Sequence, residues 1–360
     1  MERDTVNIYE EQATTYAALR PPKHRARAAE FAEAAPSGRP LLDVGCGPGG
    51  YLPDLLSAAL GVVALDAARA MIDLARAAAP AAWGVRGDIA ALPFKPGSIG
   101  AAWARNTYLH IRRANLPIAL AHLHRSLAIG APVVMSVVEG DDEGQIADDI
   151  IGDRFFANWR REALADVAVG AGFDLDAIDL IGDELWVTAT RARSLPDFVG
   201  PDMKVLVCGL NPSLVAADAG VGFAGPTNRF WPAAHAAGLV TQGRDPFHAL
   251  AVDNVGMTDL VKRATPRAAD LTVAEYSAGV GRVLRLVEWL RPRVVLFVGL
   301  TGWRAAIDRE ARPGLQPARF GDARAYVMPS TSGANAHASR ADIEAHLSAA
   351  LDAADYNGNV

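Results

Sequence analysis

Short apolar runs alternate with stretches of helical spacing along most of the chain, the pattern of an α/β protein. Leu41 to Val44 is a brief apolar strand that runs into a glycine-rich turn. Gly61 to Leu65 predicts a second strand, followed by helical spacing over Ala67 to Ala78. Ile99 to Ala104, Pro132 to Val138 and Leu185 to Thr190 predict further strands, with helices over Leu116 to Leu127 and Arg160 to Gly170. Arg191-Ala-Arg-Ser-Leu-Pro-Asp-Phe-Val-Gly-Pro201 interrupts this alternation with two prolines, a glycine and mixed charge, and reads as a linker. The strand–turn–helix pattern then restarts. Strands are expected at Lys204 to Cys208, Arg293 to Val298 and Ala325 to Met328. Helices are expected at Asn228 to Ala237, Val273 to Trp289, Gly302 to Ala311 and Arg340 to Ala354, with a loose tail over Asp355 to Val360. The expected units are 1–192 and 202–354, with 193–201 linking them and leading into the next strand.

At 360 residues the chain is long enough for two domains, and 51% hydrophobic content gives each a core to bury. Charge separates the halves. Residues 200–360 carry 16 Lys+Arg against 15 Asp+Glu, while the remainder carries 19 against 26, within a net charge of −6. Two cysteines, Cys46 and Cys208, are too few for a disulfide framework, which points to a reducing, cytoplasmic setting. The polar opening Met1-Glu-Arg-Asp is not a secretory signal, and no apolar run reaches the roughly 18 residues of a membrane span. No His/Cys/Asp/Glu spacing marks a metal site.

The first chemical signal is Leu41-Leu-Asp-Val-Gly-Cys-Gly-Pro-Gly-Gly50. Gly45, Gly47 and Gly49 permit positive φ and close backbone approach to a ligand. Asp66 ends the next strand, where a carboxylate can accept hydrogen bonds from a ribose diol. Gly87-Asp88-Ile89 follows the third. Asp43 lies two residues ahead of the first glycine, unlike the usual dinucleotide fingerprint. Over residues 1–190 this set resembles the class I S-adenosylmethionine-dependent methyltransferases. The resemblance implies S-adenosylmethionine as cofactor. It implies that Asp43, Gly45, Gly47 and Gly49 wrap the methionine part, Asp66 holds the ribose and Asp88 lies near the adenine. Tyr9 and Tyr16 resemble the N-terminal helix that covers this cofactor. Asn106 and His110 are candidates for an acceptor pocket, His110 reading equally as an ordinary helix-start residue. His122 and His124 read as solvated helix residues. No motif names the methyl acceptor.

The second signal is Leu206-Val-Cys-Gly-Leu-Asn-Pro-Ser213. It places an amide, Asn211, at the carboxyl end of a strand, where α/β sheets bind ligands. Phe223 follows in a Gly-rich stretch. An amide and an aromatic ring in adjoining loops are what a flipped base needs: one reads a polar edge or orients water, the other stacks. Gly209-Leu-Asn-Pro-Ser213, Gly222-Phe-Ala-Gly-Pro-Thr-Asn-Arg-Phe-Trp231, Gly256-Met-Thr-Asp-Leu-Val261 with Arg263-Ala-Thr265, and Val327-Met-Pro-Ser-Thr-Ser-Gly333 occur in order. Together they resemble the mismatch-specific uracil/thymine-DNA glycosylase branch of the uracil-DNA glycosylase superfamily. The resemblance implies that Asn211 orients water, Phe223, Leu210 and Ser213 bind the base, and Ser330, Ser332, Gly333 and Ala334 meet DNA. Phe230, Trp231 and Cys208 read as core, and Asp259 either as a cap or brace of the central loop or as a group that takes part in the chemistry. His337 and Arg340 are further candidates for phosphate contact. Ala334 stands where the family often has a large wedge residue, and a methyl group cannot replace a base in the stack.

The expected architecture is a Rossmann-like methyltransferase domain followed by a three-layer α/β/α glycosylase-like domain. The implied activities are hydrolytic removal of uracil or a related base from mispaired or single-stranded DNA, and methyl transfer to an unknown acceptor. The competing reading has a methyltransferase acting on a small molecule or tRNA, with the second domain a non-catalytic nucleic-acid-binding module.

Overall fold

The computed structural model describes residues 2–36, 38–58, 61–146 and 150–356, so the last four residues of the expected loose tail lie outside the described residues. The chain divides into two compact units, Met1–Ala192 and Arg193–Val360.

In chain order the first unit contains helices α1 (Arg3–Glu11), α2 (Ala13–Leu19) and α3 (Arg25–Ala34), strand β1 (Leu41–Val44), α4 (Leu52–Leu56), β2 (Val62–Asp66), α5 (Arg69–Ala78), β3 (Trp83–Arg86) and β4 (Ala101–Arg105). There follow α6 (Leu116–Ser126), β5 (Pro132–Val138), a small hairpin of β6 (Glu143–Gln145) and β7 (Phe155–Ala157), α7 (Arg161–Gly170), β8 (Phe173–Ile181) and β9 (Glu184–Arg191). The main sheet runs β3-β2-β1-β4-β5-β9-β8. Its first five strands are parallel, and β9 runs antiparallel to both neighbours.

The apolar runs are continuous because both faces of this sheet are covered. Leu42, Val44, Val63 and Leu65 pack with Leu120 and Leu123 of α6 and Leu164 of α7. Leu41, Val62 and Ala64 join Phe31 of α3, Leu52 and Leu55 of α4 and Ile72 of α5 in a second cluster. Strand order reverses at β1, which lies between β2 and β4, so the turn after β1 opens at a switch point. Because β9 is antiparallel, with Glu184 opposite Val138, its beginning reaches the same rim as the ends of the parallel strands.

Two features differ from expectation, and a third fills one in. The strand expected ahead of Gly87 is β3, at the sheet edge with Trp83 exposed; no apolar run marks its bounds. The segment after α7 continues as a nine-residue strand, β8, whose alternating polar positions face outward at the opposite edge. His124 is buried, packing edge-on against Phe173 at 5.8 Å, and not solvated.

The second unit contains β10 (Val205–Gly209), α8 (Leu214–Ala219), α9 (Phe230–Ala236), α10 (Pro246–Ala251), β11 (Val255–Asp259), α11 (Val273–Leu290), β12 (Val294–Val298), α12 (Leu300–Ala306), β13 (Gly314–Leu315), β14 (Arg324–Met328) and α13 (Arg340–Asp355). Its sheet runs β11-β10-β12-β14-β13, parallel except for the short β13. Helix α13 lies against β10, β12 and β14, and α11 packs on α12. The helix expected over Gly302 to Ala311 begins earlier and ends at Ala306.

The stretch expected as a linker is in large part core of this unit. Leu195, Asp197, Phe198 and Val199 are buried, and Phe198 exchanges backbone hydrogen bonds with Met257 of β11 in both directions at 2.8 Å. Its prolines bracket an apolar pair that extends the sheet edge. Asp197 anchors a buried network. Its Oδ1 accepts from Thr258 Oγ1 at 2.6 Å and Lys262 Nζ at 2.9 Å, and its Oδ2 from Arg282 Nη1 at 2.6 Å. Burial alone would raise this carboxyl, but Arg282 and Lys262 hold it below its ordinary value. Among the described residues no helix is long and apolar enough to cross a membrane.

Candidate active sites

In the first unit the turn after β1 uses its glycines for different purposes. Gly45, at φ +67°, lies so close to Thr107 that a Cβ would overlap it; Gly49 lies against the backbone of α5 at Ala75. Gly47 faces the Tyr16 ring and donates its N–H to Asp66 Oδ2 at 3.0 Å. Asp66 Oδ1 accepts from Ala68 N at 2.9 Å. Burial raises the Asp66 carboxyl to about 6, against the pull of these N–H groups. Asp43, on β1, is 2% exposed, and its Oδ2 meets no hydrogen-bond partner among the described residues. Burial, and then the Asp66 charge, push it to about 8.

These groups line a cavity of about 850 Å³, shared by Asp43, Gly45, Gly47, Tyr9, Tyr16 and Arg105, and a smaller adjoining lobe lined by Asp66, Met71 and Ile89. Asp88 is not in that lining. It is exposed, with Oδ1 accepting from Ala90 N at 2.9 Å, and its neighbour Ile89 faces the lobe instead.

His110 is 5% exposed. Its Nδ1 lies 2.7 Å from the Phe155 carbonyl, so Nδ1 carries the proton. Nε2 then accepts from Tyr9 Oη at 2.8 Å, and Tyr9 in turn accepts from Arg154 Nη1 at 2.5 Å. The Arg154 guanidinium sits over the rings of Tyr9, Tyr16 and Phe156 at 5.0–5.8 Å. His110 and Arg154 thereby fasten α1 over the cavity. Arg154, Arg105 and Glu184 were not singled out from sequence. Glu184 stands 79 positions from Arg105, and only the antiparallel β9 brings them together as an ion pair.

In the second unit Leu210 and Asn211 follow β10. The loop stays paired to its neighbour through Leu260 N to Gly209 O and Val261 N to Leu210 O, both 2.9 Å. Asn211 Nδ2 donates to Thr265 Oγ1 at 2.8 Å and Arg263 O at 3.0 Å. These bonds engage Nδ2 and so orient the amide. Leu210 packs toward Gly302 of α12. Phe223, at φ +57°, stacks on the buried Phe230 at 4.2 Å and 23°. Trp231, also buried, donates from Nε1 to Gly222 O at 2.8 Å. Ser213 is exposed and its Oγ accepts from Ala216 N at 3.2 Å, so the hydroxyl caps α8 rather than facing the base site.

Gly209 lets two further groups converge. A Cβ there would overlap Asp259 Oδ1 and lie 3.5 Å from the Phe223 ring. Asp259 ends β11 in register with Gly209, and burial raises its carboxyl to about 6. It stands with Phe223 at the strand ends, a placement that the reading as a loop brace did not include. The late loop is held by Arg229, which donates to the carbonyls of Ala338, Ser332 and Asn335. Ser332, Gly333 and Ala334 are exposed on it; Ser330 is half-buried, and His337 and Arg340 are exposed nearby.

Two family models match. Residues 41–130 match a methyltransferase domain, and residues 196–354 match the uracil DNA glycosylase superfamily. The chain is a fusion of these two domains. Among solved structures, the Burkholderia thailandensis 1,6-didemethyltoxoflavin-N1-methyltransferase is 17% identical, covering 53% of this chain and 91% of its own, with a TM-score of 0.43. A Methanosarcina mazei S-adenosylmethionine-dependent methyltransferase is 13% identical over 48% of this chain and 99% of its own (TM-score 0.41). One from Mesorhizobium loti is 16% identical over 46% and 96% (TM-score 0.38).

Proposed function

We propose that the second unit hydrolytically excises uracil, or a related base, from mispaired or single-stranded DNA, and that the first transfers a methyl group from S-adenosylmethionine to a separate acceptor. The observation that carries the glycosylase reading is the fixed Asn211 amide just after Gly209, against which the Phe223 ring lies. With Nδ2 committed to Thr265 and Arg263, Oδ1 is available to accept from a water and aim it at the sugar carbon. Phe223, backed by Phe230, offers its other surface to a base. The exposed Ser332, Gly333 and Ala334, beside the half-buried Ser330, offer backbone and hydroxyl groups that suit phosphate contact. Buried, unpaired thiols at Cys46 and Cys208 fit a cytoplasmic setting.

The cofactor supplies an activated methyl group on a sulfonium. The fit rests on Asp43, a buried carboxylate oxygen without a donor, which a cation or N–H group of the methionine part would satisfy. Asp66 and the Met71–Ile89 lobe suit a ribose and an adenine. Gly45, Gly47 and Gly49 shape the turn between these ends.

The test is base excision on U:G, T:G and single-stranded uracil oligonucleotides, with alkaline cleavage revealing abasic sites. Wild type is expected to cut, and Asn211→Ala to lose about 10²-fold or more in rate. Ala334 is exposed and too small to fill a vacated stack, which predicts faster cutting of single strands than of duplex. The same observation favours the second reading, a nucleic-acid-binding module. DNA binding without cleavage of any substrate would establish it.

A further inference from the structure

The first unit holds a second unanswered carboxylate, away from the glycine turn. Glu184 opens β9 and is 7% exposed in the wall of the 850 Å³ cavity. Its Oε1 accepts from Arg105 Nη2 and from Asn106 Nδ2, the latter at 2.9 Å. Asn106 is held in turn by Ser136, whose Oγ donates to Asn106 Oδ1 at 3.0 Å. Glu184 Oε2, in contrast, is buried and meets no hydrogen-bond partner among the described residues. Leaving a buried carboxylate oxygen without a donor costs stability, and a fully built ion pair on one oxygen does not relieve the other. Asp183, next in the chain, is exposed and also lines the cavity. Phe156 and Tyr51 supply aromatic walls.

We propose that Glu184 and Asp183 form the acceptor subsite of the methyltransferase, and that the acceptor is a planar nitrogen compound carrying an amino group. This rests on the methyltransferase reading. Two carboxylates call for two hydrogens from the substrate; an amino nitrogen provides both, whereas a hydroxyl provides one. The aromatic walls take the flat body. In the transfer the acceptor nitrogen lone pair forms the N–CH3 bond as the carbon–sulfur bond breaks. The breaking pair stays on sulfur as a neutral thioether, and the surplus N–H proton passes to the exposed Asp183 carboxylate and from it to solvent. Arg105 and Asn106 act as positioning residues that hold the carboxylate in place.

The test uses the full chain saturated with S-adenosylhomocysteine. Binding of 2-aminopyridine, pyridine and phenol is measured by saturation-transfer NMR, with no turnover required. The amino compound is expected to bind at least about tenfold more tightly than the other two. Glu184→Gln should erase that preference and Asp183→Asn should reduce it severalfold. Affinity for S-adenosylhomocysteine should stay within about twofold in both variants, which also shows that each folds. If 2-aminopyridine fails to bind, binds no better than phenol, or is indifferent to Glu184→Gln while S-adenosylhomocysteine binds normally, the proposal is overturned. If wild type does not bind S-adenosylhomocysteine, the methyltransferase reading itself has failed.

Discussion

On the proposed reading, the buried Asp43 carboxyl ties cofactor binding to stability at one atom. Unfolded, it ionises near its ordinary 3.8; folded, it keeps its proton up to about 8, because burial and Asp66 disfavour the charge. A carboxyl raised by folding contributes stability that is complete below its unfolded value and is lost as pH rises toward its folded one. Each unit of separation is worth about 1.4 kcal/mol, so by pH 8 the cofactor-free first unit has lost a few kcal/mol to this group. Asp43→Asn should therefore be more stable than wild type near pH 8, with the advantage shrinking as pH falls toward 4. Denaturant titrations across that range measure it; a pH-independent difference would exclude the linkage. The same variant should bind S-adenosylhomocysteine at least about tenfold more weakly by calorimetry. The residue itself was legible, since an acid two positions before a glycine turn at a strand end is a local pattern. Glu184 was not: nothing near it in sequence distinguishes it, and its significance comes from Arg105, Asn106 and the antiparallel return of β9.

Among the elements, the stretch between the two units shows how punctuation misleads. Two prolines, a glycine and mixed charge describe a loop, and composition does not record what the loop packs on. Phe198 pairs with β11, and Asp197 collects Thr258, Lys262 and Arg282. Strands with apolar runs were legible because both sheet faces are covered; the bounds of β3 and β8 were not, because edge strands keep polar positions. The Asp197 network also braces the end of β11, as Arg282 Nη2 donates to Asp259 O at 2.7 Å. Removing the acid leaves two buried cations facing each other. Asp197→Ala should cost the second unit about 3–5 kcal/mol. Combining it with Arg282→Met should cost less than Asp197→Ala alone, because one stranded charge is gone. A linker residue without this role would give changes near zero in both variants, as read by urea unfolding of the full chain.

At the scale of the whole molecule, each unit has its own sheet and core, so each can take up a ligand as a separate thermodynamic body. Calorimetric unfolding of the full chain should show two transitions. A ligand that binds only the folded state stabilises it by RT ln(1 + [L]/Kd), about 2.7 kcal/mol at a hundredfold excess over Kd. S-adenosylhomocysteine should therefore raise the midpoint of one transition and leave the other in place. A single-stranded uracil oligonucleotide should do the reverse. The variants assign the transitions: Asp43→Asn shrinks the first shift, and Asp197→Ala lowers the transition that DNA raises. Independence is the expected result, because each site is built from residues of its own unit. If one ligand moved both transitions, the two activities would share a binding free energy, and by reciprocity DNA would then change S-adenosylhomocysteine affinity by the same factor that S-adenosylhomocysteine changes DNA affinity. Measuring both affinities with and without the other ligand checks that equality directly. Such a result would make a methylated or methylatable base the natural common substrate of the two units.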